Sequence, residues 1–138
     1  MPTQYFADTW FWIARINKRD NDHARAKKIE ETIRNSIIVT SEMVLAELLN
    51  FFADEGRFWR AQCSKFVTHI ISNKCIQVVP QSTELFSASL NLYKDRPDQE
   101  WSLTDCSSFV IMGEESITHA LTNDHHFTQA GFILFEFN

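Results

Sequence analysis

Glycine and proline are scarce, with three of each in 138 residues. That scarcity argues against a loop-rich sandwich or barrel and for long regular elements with short connections. Cysteine is scarce too: Cys63, Cys75 and Cys106 are odd in number and form no C-x-x-C pair. Neither a disulfide framework nor a zinc ribbon is indicated, and a reducing cytoplasm fits. No segment approaches the ~20 uninterrupted apolar residues of a membrane span. The opening Met1-Pro2-Thr3-Gln4 lacks a basic start, and the apolar run that follows is cut at Asp8, so no secretory signal is read there. Positive charge is missing from the C-terminal stretch. No Lys or Arg follows Arg96, whereas Asp98, Glu100, Asp105, Glu114, Glu115, Asp124 and Glu136 do. With 13 Lys+Arg against 18 Asp+Glu, a net charge of -5 and a pI near 5.5, a generic cationic nucleic-acid coat is excluded.

What is present describes an ordinary globular chain, 44% hydrophobic and 22% charged. Its length suits one domain over residues 1–138, with no room for a second core and no repeat or linker dividing it. Gln4 to Ala7 is a short apolar run feeding a helix with Trp10, Ile13 and Ala14 at helical spacing. That helix breaks at the cap-rich Asp20-Asn21-Asp22 and resumes through Ala26, Ile29 and Ile33. Ile37-Ile38-Val39 is a second strand, followed by a helix bearing Leu45, Leu48, Leu49 and Phe52 and another from Phe58 to Ile71. Cys75 to Val79 is a third strand stopped by Pro80, and Ser82 caps a helix carrying Leu85, Ala88 and Leu92. After a polar loop from Lys94 to Glu100, Ser102 opens a helix that runs through Met112, with Gly113 placed to end it. His119–Thr122 and Phe132–Phe135 complete five strands. Strands alternating with helices predict an α/β architecture with a mostly parallel sheet covered on both faces.

In open parallel sheets, ligands bind beyond the carboxyl ends of the strands. Four acids fall at that edge. Asp8 closes the first strand, Glu47 lies two turns into the helix after the second, Asp105 is in the first turn of its helix, and Asp124 follows the strand ending at Thr122. Partly buried carboxylates are costly unless paired or metal-bound, and several together repel one another. No basic residue near Asp105 or Asp124 in sequence neutralises them. Hard carboxylate oxygens suit Mg²⁺ or Mn²⁺, which keep several waters and serve phosphoryl chemistry.

The segments FADTWFWIARINKRDNDHARA, TSEMVLAELLN, WSLTDCSSFVIM and HALTNDHHFTQAGFILF together resemble the PIN-domain ribonucleases, especially the VapC-like toxins of toxin–antitoxin pairs. The resemblance runs in the family's order from about Tyr5 to Phe135. It implies a three-layer α/β/α fold and Mg²⁺- or Mn²⁺-dependent cleavage of single-stranded RNA, often tRNA or rRNA, leaving a 5′-phosphate and a 3′-hydroxyl. By position it makes Asp8, Glu47, Asp105 and Asp124 the catalytic, metal-holding acids, with Thr9 and Thr122 as polar support and none of the four acids missing. It also implies a homodimer and a cognate antitoxin whose segment occludes the site. The aromatic excess at Trp10, Trp12, Phe51, Phe52, Phe58 and Trp59 lies outside the catalytic pattern and is a candidate groove for that segment.

Each residue also has a plainer reading. Ser102-Leu103-Thr104-Asp105 matches a capping box, and taken alone Asp105 is better read as a cap. Asp8 could end its strand and cap the next helix, and Asp124 could be a turn residue. Nothing about capping explains Glu47 in mid-helix, and joint placement is what lifts the set. His125 and His126 lack a zinc-spaced partner and read as surface or supporting residues. Cys106 reads as a small core residue rather than a nucleophile. Most of the aromatic residues read as core, with Trp101 the one most suspected of exposure. Arg15, Lys18 and Arg19 read as a solvated helix face, or as an RNA rim because they follow Asp8 closely.

Three functions compete. The first is a metal-dependent endoribonuclease acting as a toxin, with a non-toxin RNA-processing nuclease as its variant. The second is a phosphoacceptor domain, but a receiver needs a late lysine, absent after Lys94, and a haloacid-dehalogenase-like site needs a second Asp where Trp10 stands. The third is a catalytically silent partner-binding module, which intact acids disfavour. Because the chain is acidic, RNA affinity is expected to fall with salt less steeply than for a cationic binder.

Overall fold

A computed structural model of the chain describes residues 3–136. Five strands, β1 (Gln4–Ala7), β2 (Ile37–Ser41), β3 (Ile76–Val79), β4 (His119–Leu121) and β5 (Ile133–Leu134), form one sheet in the order β3-β2-β1-β4-β5. Every neighbouring pair is parallel, so the mostly parallel sheet read from the sequence is parallel throughout. Between the strands run α1 (Thr9–Ile16), α2 (His23–Thr32), α3 (Glu42–Phe51), α4 (Arg57–Ser72), α5 (Thr83–Asp95), α6 (Leu103–Glu114) and α7 (His125–Gln129). The crossovers from β1 to β2 to β3 step one way along the sheet, and those from β3 to β4 to β5 step the other. Right-handed crossovers therefore put α1–α4 on one face and α5–α7 on the other, the three-layer arrangement. The direction reverses between β1 and β4, and that is where a parallel sheet opens a crevice at its carboxyl edge.

The central strand is apolar on both faces, as a covered parallel strand must be: Tyr5, Phe6 and Ala7 are all fully buried. Trp12 locks α1 across the sheet. Its ring lies 5.1 Å from Phe11 and 6.0 Å from Phe66, and its indole Nε1 donates to Thr40 Oγ1 at 3.1 Å. Thr40 in turn donates to the Ala7 carbonyl at 3.0 Å, so the buried polar atoms are satisfied where β1 hands over to α1. The edge strands β3 and β5 are only partly covered.

Two sequence readings are corrected. Gly113 does not end α6, which runs on to Glu114. Ser116 takes the left-handed conformation instead (φ 57), with Ile117 N–H bonded to the Met112 carbonyl at 2.9 Å. The buried Ile117 decides this, because its apolar contact fixes where the reverse turn forms. Trp101 is not exposed but 6% accessible. It packs edge-on to Phe109 at 5.0 Å, donates to Gln129 Oε1 at 3.1 Å, and carries the Arg96 guanidinium over its face at 4.9 Å. A polar loop sequence concealed those apolar and cationic partners. No helix among the described residues is long and apolar enough to cross a membrane.

Candidate active site

Asp8 leaves the end of β1 in extended backbone (φ -86, ψ 170) and occupies the N-cap position of α1 without capping it through its side chain. The strand register carries Ala7 beside Leu121, and Asp8 N–H donates to the Leu121 carbonyl at 3.3 Å. Asp8 is thereby set against Thr122 at the sheet's reversal point, where Thr122 Oγ1 donates to Asp8 Oδ2 at 3.0 Å. The carboxyl is 6% exposed. Burial is the main cause that brings its pKa up to about 7; the Thr9 backbone N–H and the Thr122 hydroxyl oppose the rise, and the charges of Asp105 and Glu47 add to it. Asp8 holds the N-cap position as the plain reading has it, but makes no side-chain cap hydrogen bond.

The other three acids arrive from separate elements. Ser41 caps α3 by accepting from Val44 N–H at 3.1 Å, which fixes the start of that helix. Its next turn brings Glu47 to Thr9, whose Oγ1 donates to Glu47 Oε1 at 2.5 Å. Asp105 does form the capping box read from the sequence: Ser102 Oγ accepts from Asp105 N–H at 3.0 Å, and Asp105 Oδ2 accepts from Ser102 N–H at 3.1 Å. Yet Asp105 is buried, and burial raises its pKa, with the charge of Asp124 adding to the effect and the Ser102 N–H and His126 opposing it. Asp124 caps α7 by accepting from His126 N–H at 2.9 Å, and its own N–H donates to Thr122 Oγ1 at 3.1 Å. Thr122 thus joins Asp8 to Asp124 through one hydroxyl, donating to the first and accepting from the second.

Electrostatic coupling runs along the set, Glu47 and Asp105 acting on Asp8, and Asp124 acting on Asp105. Among the described residues no lysine or arginine pairs with any of the four; Arg15 pairs with Glu30 and Arg96 with Asp98. Sequence reasoning undervalued His126, whose ring Nδ1 lies 3.0 Å from Asp105 Oδ2 and 3.4 Å from Asp124 Oδ1. The signal was in the spacing: two residues after the cap Asp124, a side chain in the first turn of α7 faces back toward the start of α6. His125 has a side chain that is 76% exposed and stands 3.7 Å from Asp124.

The donors fit a hard divalent cation. They are mutually repelling carboxylate oxygens, and among the described residues no lysine or arginine stands in for the ion. They converge loosely. Among the described residues only Asp124, His125 and His126 place three ligand-capable atoms within 4.8 Å of one another. We favour the carboxylate set over that trio, because His125 is exposed while Asp8 and Asp105 are buried and, among the described residues, paired with no lysine or arginine. Loose spacing also suits Mg²⁺ or Mn²⁺, which fill most of their coordination with water. A cavity of about 230 Å³ opens beside Glu47, lined by Met43, Ala46, Asn50, Leu103 and Thr104.

Of the basic residues read as a rim, Arg15 is held by Glu30 through two bonds of 2.8 and 3.3 Å and faces α2. Lys18 and Arg19 are exposed and border a cavity of about 480 Å³ with Phe58, Trp59 and Gln62. The aromatic set divides: Trp12 and Phe52 are core, Trp10 and Trp59 are half-buried, and Phe51 and Phe58 are 51% and 65% exposed.

The model of the PIN domain family matches residues 5–133. The 23S rRNA-specific endonuclease VapC20 of Mycobacterium tuberculosis is 28% identical over 128 residues, spanning 93% of this chain and 95% of that protein. The crystal structure of M. tuberculosis VapC20, described as a Sarcin-Ricin loop cleaving toxin, superposes with a TM-score of 0.83 at 25% identity, covering 94% of this chain and 96% of that one. VapBC2 from Rickettsia felis, solved with a DNA fragment from its promoter, shares the fold with a TM-score of 0.68 at 18% identity, covering 96% of this chain and 97% of that one.

Proposed function

Because the chain belongs to the PIN-domain family, we propose that it is a divalent-metal-dependent endoribonuclease acting as the toxin of a toxin–antitoxin pair. One observation carries the reading. Four acids from four separated segments gather at the reversal point of a parallel sheet, two of them buried, with no lysine or arginine among the described residues paired to them. Catalytically silent modules have no need to keep such repelling carboxylates together. The kinship to an endonuclease over nearly the whole chain supports nuclease activity, and ribosomal RNA is the first substrate to test.

In this reading Asp8, Asp105, Asp124 and Glu47 hold Mg²⁺ or Mn²⁺, which, when bound, neutralises phosphate charge and makes a water acidic enough to attack. The chain supplies orientation. Thr122 aims Asp8 and tethers the Asp124 backbone, Thr9 holds Glu47, and the box with Ser102 holds Asp105. Exposed Lys18 and Arg19 offer phosphate contacts, while Arg15 is engaged by Glu30 and drops out of the proposed rim. The antitoxin and a homodimer are further parts of the proposal, with exposed Phe51 and Phe58 as an apolar surface for the antitoxin.

The test is to incubate the purified chain with ribosomal RNA in Mn²⁺ or in chelator and to map the ends. Metal-dependent cuts bearing 5′-phosphates, lost in Asp8→Asn, are expected, together with growth arrest on expression of the native chain alone. Equal cleavage by Asp8→Asn would refute the assignment.

A further inference from the structure

We propose that His126 is a positioning residue that clamps two of the four acids at a fixed spacing and turns one oxygen of Asp105 toward the cation. The inference rests on the metal-dependent reading above and deepens the same site. His126 reaches acids from two different elements. Its backbone N–H donates to Asp124 Oδ1 at 2.9 Å, and its ring Nδ1 stands 3.0 Å from Asp105 Oδ2. An ionised carboxylate only accepts, so the ring donates, which requires the proton on Nδ1.

The consequence is a division of labour between the oxygens of Asp105. Oδ2 is filled from two sides, by Ser102 N–H at 3.1 Å and by the His126 ring. Oδ1 has no hydrogen-bond partner among the described residues and is left to a cation. Asp105 and Asp124 repel each other, and each belongs to the start of a different helix, α6 or α7. A donor that bonds both is what keeps them from splaying. The neighbouring His125 supplies the contrast, since its side chain is 76% exposed against 21% for His126. Outer-shell partners of this kind govern metal affinity without touching the metal, and their loss costs roughly 10–100-fold.

The experiment compares Mn²⁺ binding by calorimetry in the native chain, His126→Ala and His126→Asn. It adds ¹⁵N NMR of the ring nitrogens in the metal-free native chain, in mildly alkaline buffer, and electron paramagnetic resonance of bound Mn²⁺. A proton on Nδ1 is expected, with Mn²⁺ affinity about 10–100-fold weaker in His126→Ala. The melting temperature is expected to hold within roughly 8 °C, the span of a single lost hydrogen bond. His126→Asn, whose amide nitrogen lies near the place of Nδ1, is expected to recover most of the affinity. A proton on Nε2 alone, affinity in His126→Ala equal to the native value, or an Asn variant as weak as the Ala variant would each overturn the clamp. So would nitrogen coupling to the bound Mn²⁺, which would make His126 a ligand. Failure of the underlying reading looks different, because the native chain then takes no Mn²⁺ at all.

Discussion

Asp8 and Asp105 lie near enough for the charge of one to raise the pKa of the other, but they are held in opposite ways. Asp105 accepts from the Ser102 N–H and the His126 ring and completes a helix cap, so its burial has a structural return. Asp8 caps nothing through its side chain, and its one side-chain donor is the Thr122 hydroxyl. A carboxylate that is buried, raised to about 7 and completes no helix cap is a cost to stability, and a cost of that kind marks a candidate for function. The comparison teaches where a sequence reading is ambiguous. The cap explains Asp105 as well as catalysis does, whereas for Asp8 no side-chain cap hydrogen bond supports the structural alternative.

The largest expected effect separates the two residues by stability while uniting them in activity. Asp8→Asn and Asp105→Asn should each lower RNA cleavage by more than the ~100-fold that outer-shell partners cost. Asp8→Asn should melt higher than the native metal-free chain at neutral pH, and Asp105→Asn should not, because it weakens two hydrogen bonds to a charged acceptor. Equal shifts in the two melts would erase the contrast.

The second effect is pH dependence. Since the folded pKa of Asp8 lies near 7 and the ordinary value of the group is 3.8, the folded state holds the extra proton between those values. Metal-free stability should therefore be greatest below about pH 4 and fall as pH rises through about 7, as far as Asp8 contributes. The three-unit difference corresponds to roughly 4 kcal/mol. Denaturant titrations across that window should show the slope in the native chain and its flattening in Asp8→Asn.

Third, Mn²⁺ at ~100 times its dissociation constant should stabilise the native chain by about 2.7 kcal/mol, and Asp8→Asn far less. A melt unchanged by Mn²⁺ would remove the cation from the site. Smallest is Ser102→Ala, expected to cost about 1 kcal/mol as a lost cap. Because the Ser102 N–H to Asp105 survives that change, cleavage should fall less than in either acid variant.

Much of this was legible in the chain. The apolar run Tyr5-Phe6-Ala7, the β-branched Ile37-Ile38-Val39 and the acids following the strands placed the sheet and its carboxyl edge, because period and burial are local signals. What escaped notice depends on partners distant in sequence. Trp101 is buried by Phe109, Gln129 and Arg96, and α6 stops where Ile117 finds the core rather than at Gly113. Arg15 looked like a free cation until Glu30 on α2 claimed it. His126 reads from the sequence as a surface or supporting residue, and only the fold shows which acid it meets: Asp105, 21 residues earlier in the chain.

The most direct measurement is anomalous diffraction at the manganese edge from crystals soaked in Mn²⁺. Density bounded by oxygens of Asp8 and Asp105 at about 2.0–2.6 Å is the expected result. A peak confined to Asp124, His125 and His126, with none near Asp8, would contradict the shared site on which the nuclease reading stands.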